Sequence, residues 1–158
     1  MREKVIEKIL KEKIIVIVRG VESGKLIPLA EAMYDGGIRL LEITYGGNDS
    51  QTAQNIEMLR RHFDGKMHIG AGTVTTPARA SLTKNAGGEF IISPNTDHET
   101  IKLTRELDMV SIPGALTPSE IVTADSAGAD CVKLFPVTGV GAKYVKAVKA
   151  PLTNIRCL

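Results

Sequence analysis

Tryptophan is absent, and aromatic residues make up only 4% of the 158 residues. That scarcity argues against the stacking platforms on which single-stranded nucleic acid is bound. An excess of one charge is lacking too: 20 Lys and Arg face 18 Asp and Glu, for a formal net charge of +2. The basic residues are scattered, so neither nucleic acid nor an anionic membrane surface is implied as a partner. Only two cysteines occur, Cys131 and Cys157, each in an apolar, strand-like run. They read as buried thiols rather than as a disulfide or a metal pair. The three histidines, His62, His68 and His98, show no metal-ligand spacing and are expected at the surface. No metal site is expected. The run IIVIV at 14–18 is far too short to cross a bilayer. The opening MREKVIEKILKEK mixes charge with apolar residues at helical spacing and lacks the unbroken apolar stretch of a signal peptide. A cytoplasmic protein is expected.

What is present is a repeat of strand, turn and helix. At 43% hydrophobic, the chain can bury the core of one domain, residues 1–158. Short β-branched runs recur at Ile14–Arg19, Ile38–Thr44, Met67–Ala71, Glu89–Ser93, Met109–Ile112 and Cys131–Phe135, and a seventh begins at Asn154–Leu158. Between them lie stretches of helical period, such as KLIPLAEAMYDGG and SQTAQNIEMLRRHF. YDGGI at 34–38, NAGGE at 85–89 and SAGAD at 126–130 each place glycine between a helix end and a strand start. TPSE at 117–120 carries a capping threonine, a proline at the first helical position and the glutamate of a capping box. TDHE at 96–99 reads similarly, and TP at 76–77 is a weaker start signal.

Strands alternating with helices at this spacing predict βαβ units and a parallel sheet. The two candidates are a (β/α)₈ barrel and an open doubly wound sheet. GAGTVT at 70–75 begins like a dinucleotide fingerprint but has Thr75 where the third glycine belongs, and GVGAK at 139–143 is too compact for a phosphate-binding P-loop. Polar residues instead gather at the C-terminal ends of the strands, where a barrel builds its site. The expected fold is therefore α/β, a (β/α)₈ barrel of which six to seven βα units are present.

Strand alternation assigns the faces. In CVKLFPV at 131–137, Lys133 shares a face with Cys131 and Phe135, whereas Val132 and Leu134 face the helices. In LLEIT at 40–44, Glu42 and Thr44 point inward. Arg19 ends strand one, Thr73 follows strand three, and Ser93 and Pro94 close strand four. Lys133, Glu42, Arg19 and Thr73 thus converge on one end of the barrel, with Phe135 and Pro94 as walls that would keep water scarce. Desolvation disfavours an ammonium ion. A neutral amine there can attack a carbonyl and form a Schiff base, with Glu42 shuttling protons. The same residues admit plainer roles: Lys133 and Glu42 as an internal ion pair, Arg19 as a strand anchor, Thr44 and Thr73 as satisfied strand-end hydroxyls. Tyr45, at a strand tip, reads equally as a lid, a substrate contact or a packing residue.

LLEIT, IGAGTV at 69–74, FIISPN at 90–95, SIPGALTPSE at 111–120 and VKLFP at 132–136 occur in one order along nearly the whole chain. Taken together, they resemble the 2-keto-3-deoxy-6-phosphogluconate/4-hydroxy-2-oxoglutarate aldolases. The resemblance implies a class I aldolase that needs no cofactor, assembled as a homotrimer. It makes Lys133 the Schiff-base lysine, Glu42 the proton carrier and Thr73 a contact to pyruvate, with Pro94 and Phe135 as pocket walls. Many members carry an arginine shortly after the strand-two threonine, but here TYGGND has none. Arg19 in VRG matches the alternative carboxylate clamp of other members, and the unusual YGGN at 45–48 leaves open a galactonate-type epimer or a non-phosphorylated analogue as substrate. The resemblance also places an eighth strand and two phosphate-binding loops after the point where this sequence stops, so no phosphate ligand is assigned. A non-catalytic metabolite-binding barrel and, more remotely, a phosphosugar isomerase or epimerase remain the alternatives.

Overall fold

A computed structural model describes all residues, 1–158. Its elements run α1 (Arg2–Glu12), β1 (Val16–Val18), α2 (Ser23–Asp35), β2 (Leu40–Thr44), α3 (Asp49–His62), β3 (His68–Gly72), α4 (Pro77–Asn85), β4 (Phe90–Ile92), α5 (His98–Glu106), β5 (Val110–Ile112), β6 (Gly114–Ala115), α6 (Pro118–Ser126), β7 (Lys133–Leu134) and α7 (Gly141–Lys149). The first five strands pair in chain order, β1-β2-β3-β4-β5, and every pair is parallel. A doubly wound sheet reverses its order partway. Sequential order throughout is the barrel arrangement, as expected from the sequence.

Strand five is split. Pro113 has no N–H to donate, so the ladder breaks there and resumes as β6, which pairs with β7. The seventh run joins as expected: Val132 bridges Cys157, and Leu158 N–H donates to the Val132 carbonyl at 2.9 Å. β1 pairs only with β2, so the strands describe an arc that is open on the β1 side.

Three apolar groups hold the arc together. The largest lies between strands and outer helices and joins Leu41, Ile43, Ile69, Ala71 and Ile91 to Ile56 and Leu59 of α3. A second fills the inside of the arc at its N-terminal end. There Val5, Ile6 and Ile9 of α1 pack on Leu40, Phe90, Ile92, Val110 and Ile112. The helical spacing of the opening residues therefore builds a plug. The third joins Ala115, Ile121, Val132, Val148 and Ile155.

Local signals behave as their chemistry requires. Thr117 and Glu120 form a reciprocal capping box at the start of α6. Thr76 caps α4. At α5 the cap is Asp97 rather than Thr96, because its carboxylate accepts from both the backbone and the side chain of Thr100. Gly37, Gly87 and Gly128 in the repeated glycine turns all have positive φ, of 95°, 79° and 102°.

Several expectations are corrected. His68 is half-buried rather than a surface residue, because it bonds the buried Glu89 at 3.1 Å, and Arg60 pairs with that carboxylate at 2.8 Å. The cysteines are free but only half-buried. Burial pushes the Cys131 thiol up to about 11. Of the readings left open for Tyr45, packing is the one the structure supports: it is 1% exposed and falls on the helix-facing side, in line with Leu41 and Ile43 of β2. No helix is long and apolar enough to cross a membrane.

Candidate active site

The inner face of the arc changes character along its length. At the bottom it is apolar and plugged by α1; at the top it carries Glu42, Thr44 and Lys133. Two glycines make room for that change. In register, Gly70 lies beside Glu42 and Gly72 beside Thr44. A Cβ on Gly70 would lie 2.3 Å from the Phe90 ring, and one on Gly72 would lie 1.6 Å from Glu42 Oε1. Gly70 thus admits the core phenylalanine, and Gly72 admits the carboxylate. Both glycines fall in GAG at 70–72. The sequence reading missed their role, because the clash arises from neighbouring strands.

Glu42 is 2% exposed. Thr44 Oγ1 donates to its Oε1 at 3.3 Å, whereas Oε2 is buried with no hydrogen-bond partner. Burial raises the Glu42 carboxyl above its ordinary range. The charge of Lys133, the Thr44 hydrogen bond and the charge of Arg19 oppose that rise, in that order. A carboxyl whose neutral form is favoured by burial, with one oxygen left free of partners, is suited to taking up and releasing a proton.

Lys133 lies on β7, and the placement of its neighbours leaves it on the inner face of the strand. Its neighbours Val132 and Leu134 pack in the outer group, and Cys131 packs against the inner one. Lys133 forms no ion pair with any carboxylate, Glu42 included, so the internal ion-pair reading is not what the side chains do. Its Nζ lies 4.7 Å from the centroid of the Phe135 ring. Phe135 and Pro94 come together on one groove of about 590 Å³, which also takes in Gly114, Thr117 and Glu120. The expectation of a sealed, dry pocket is corrected: Phe135 is 40% exposed and Lys133 half-buried, since β7 looks across the open arc.

Arg19 sits just past β1, exposed, and its charge is among those that oppose the rise of the Glu42 carboxyl. Thr73 follows β3 at φ 57°. Left-handed backbone in a β-branched residue is a genuine outlier, and such strain gathers at functional sites. No group of three or more His, Cys, Asp or Glu is arranged to hold a metal ion.

The raised Glu42 carboxyl carries a stability consequence. A group whose folded value exceeds its unfolded value stabilises fully below the unfolded value and loses that contribution as pH rises through the folded one. Glu42→Gln, which cannot ionise, should therefore match the wild type below about pH 4.5 and overtake it toward neutrality. Thermal melts across pH read the difference, with Glu42→Gln the higher-melting protein at neutral pH. A Tm difference that does not change with pH would contradict the burial argument.

Parallel strands in sequential order, each followed by a helix, with polar groups gathered toward their C-terminal ends, define a (β/α)-barrel fold. The family described as KDPG and KHG aldolase matches residues 5–158, and the chain belongs to it. It is 34% identical over 144 residues to the 2-dehydro-3-deoxy-6-phosphogalactonate aldolase of Escherichia coli, which is 91% of this chain and 69% of that protein. A native KDPGal structure superposes with a TM-score of 0.85 at 31% identity, covering 90% of this chain and 69% of the other. The KDPG aldolase of Legionella pneumophila, with pyruvate captured as a covalent carbinolamine intermediate, gives 0.80 at 29%, covering 90% and 68%. The chain thus spans about two thirds of the length of these relatives.

Proposed function

We propose that this protein is a class I, pyruvate-forming aldolase, a lyase that cleaves a 2-keto-3-deoxy-6-phospho sugar acid to pyruvate and an aldehyde. The observation that supports this best is a buried carboxylate, Glu42, whose Oε2 has no partner and whose titration feels the charge of Lys133. Lys133 Nζ attacks the C2 carbonyl, and the carbinolamine loses water to give an iminium. The C3–C4 bond then breaks, its electron pair moves toward the iminium nitrogen as an enamine forms, and the C4 hydroxyl gives its proton to Glu42 as the aldehyde leaves. Glu42 returns a proton to the enamine carbon, and water releases pyruvate. Thr44 holds the carboxylate. Thr73 contacts the keto-acid part, Pro94 and Phe135 wall it, and Arg19 clamps its carboxylate.

Incubating the protein with pyruvate and borohydride should add to Lys133 the mass of one pyruvate less one oxygen. Absence of this adduct in the wild type would sink the proposal in favour of a non-catalytic metabolite-binding barrel. Arg19→Ala should raise the pyruvate concentration needed for half-trapping by about tenfold; no change would remove the clamp. The galactonate epimer is favoured by the 34% identical relative and by Gly46 and Gly47 standing where an arginine is absent. Comparing kcat/KM for the two epimers decides between them. A trimer working in cytoplasmic sugar-acid breakdown is the setting that family membership supports.

A further inference from the structure

We infer that Arg79, paired with Asp49, is a positioning residue that holds Thr73 and so sets the affinity of the site for the keto-acid part of its substrate. The inference rests on the aldolase reading for its functional half and on geometry for its structural half. Thr73 occupies a left-handed conformation that its branched side chain disfavours, and such a conformation persists only where the surroundings over-determine it. Two contacts hold it. On its C-terminal side, Val74 N–H donates to the Ile92 carbonyl at 3.2 Å and ties the chain to β4. The second is Arg79, whose Nη1 donates to the Thr73 carbonyl at 3.1 Å and to Thr75 Oγ1 at 3.4 Å.

Arg79 is itself fixed from the opposite side. Its Nε and Nη2 form a two-pronged pair with Asp49 at 2.9 and 3.0 Å. Its guanidinium lies 5.3 Å from the centroid of the buried Tyr45 ring. Asp49 opens α3, a few residues after the strand that carries Glu42 and Thr44, whereas Arg79 lies in α4, after the strand that leads to Thr73. The pair therefore ties the segment that carries the proton carrier to the segment that carries the keto-acid contact. Only a planar guanidinium can reach Asp49, the Thr73 carbonyl and the Thr75 hydroxyl at once while lying near an aromatic ring; a lysine ammonium lacks the fork.

The test uses Arg79→Met, which keeps most of the stem that covers Tyr45, together with Arg79→Lys, Asp49→Asn, Thr73→Ala and the double variant Arg79→Met/Thr73→Ala. The readouts are the pyruvate concentration for half-trapping by borohydride and the amide exchange rate of Val74. Arg79→Met should raise the half-trapping concentration about tenfold and speed Val74 exchange by a similar factor, with full adduct still reached at saturating pyruvate. Arg79→Lys and Asp49→Asn should move both readouts the same way and less far. The double variant should need no more pyruvate than Thr73→Ala alone, since Arg79 acts through Thr73. Unchanged half-trapping in Arg79→Met overturns the inference, as do effects that simply add in the double variant. Should Arg79→Met fail to fold, the same criteria apply to Arg79→Lys. A wild-type protein that traps no pyruvate overturns the aldolase reading instead, and Val74 exchange then decides the clamp alone: faster exchange upholds it and unchanged exchange removes it.

Discussion

Lys133→Ala should abolish the borohydride-trapped pyruvate adduct and lower kcat/KM for aldol cleavage by on the order of 10⁴-fold or more, the scale seen when a covalent nucleophile is removed. The size follows from the chemistry. Without the amine there is no iminium, and without the iminium no electron sink receives the pair from the breaking carbon–carbon bond. Lys133→Arg should be equally inactive in trapping, because a guanidinium stays protonated and does not condense with a ketone. The folding cost should be small by comparison, since Lys133 is half-buried and forms no salt bridge. Peptide mapping after reduction is the decisive measurement. An adduct that persists in Lys133→Ala, at another lysine, would move the nucleophile elsewhere.

Gly72→Ala should also damage turnover, less than loss of the lysine does, without touching the nucleophile. Its added Cβ would stand 1.6 Å from Glu42 Oε1 and 2.3 Å from Glu42 Cδ, where no atom fits. Either the carboxylate swings away from Thr44 or β3 shifts against β2. Displacing a proton-transfer group by about an ångström costs on the order of 10²-fold in rate, and overpacking a closed interior costs about 1–3 kcal/mol of stability. Imine trapping should survive better than turnover, because condensation with Lys133 depends less on Glu42 than carbon protonation does. Gly70→Ala is the control. Its Cβ would meet the Phe90 ring at 2.3 Å, so stability should fall by a similar amount while the Glu42 carboxylate keeps its surroundings. Wild-type turnover in a folded Gly72→Ala protein would mean that Glu42 does not carry the proton from this position.

The inner face of β2 was legible because period-two alternation in LLEIT sorts Glu42 and Thr44 from Leu41 and Ile43 by arithmetic alone. The same arithmetic aimed Lys133 inward and, applied to Tyr45, would have placed that residue on the packing side. The capping box at Thr117 and Glu120 was legible because it closes within four residues. The cap at Asp97 was missed by one position because Thr96 and Asp97 are both capping types, and only the bond to Thr100 separates them. His68 was misplaced because its burial depends on Glu89, twenty-one residues away.

By itself, then, the amino-acid sequence determined the features that local physics controls: alternating strands and helices, which side chains share a face, where helices begin, and which lysine and carboxylate are the inward candidates. Tertiary structure alone decided how strongly those groups are perturbed and what holds them. The burial that raises the Glu42 carboxyl, the space at Gly72 that admits it, the 40% exposure of Phe135 and the reach of Arg79 from Asp49 to Thr73 all arise between elements far apart in the chain. Desolvation and steric exclusion depend on every atom around a group, and those atoms come together only when the arc of strands assembles.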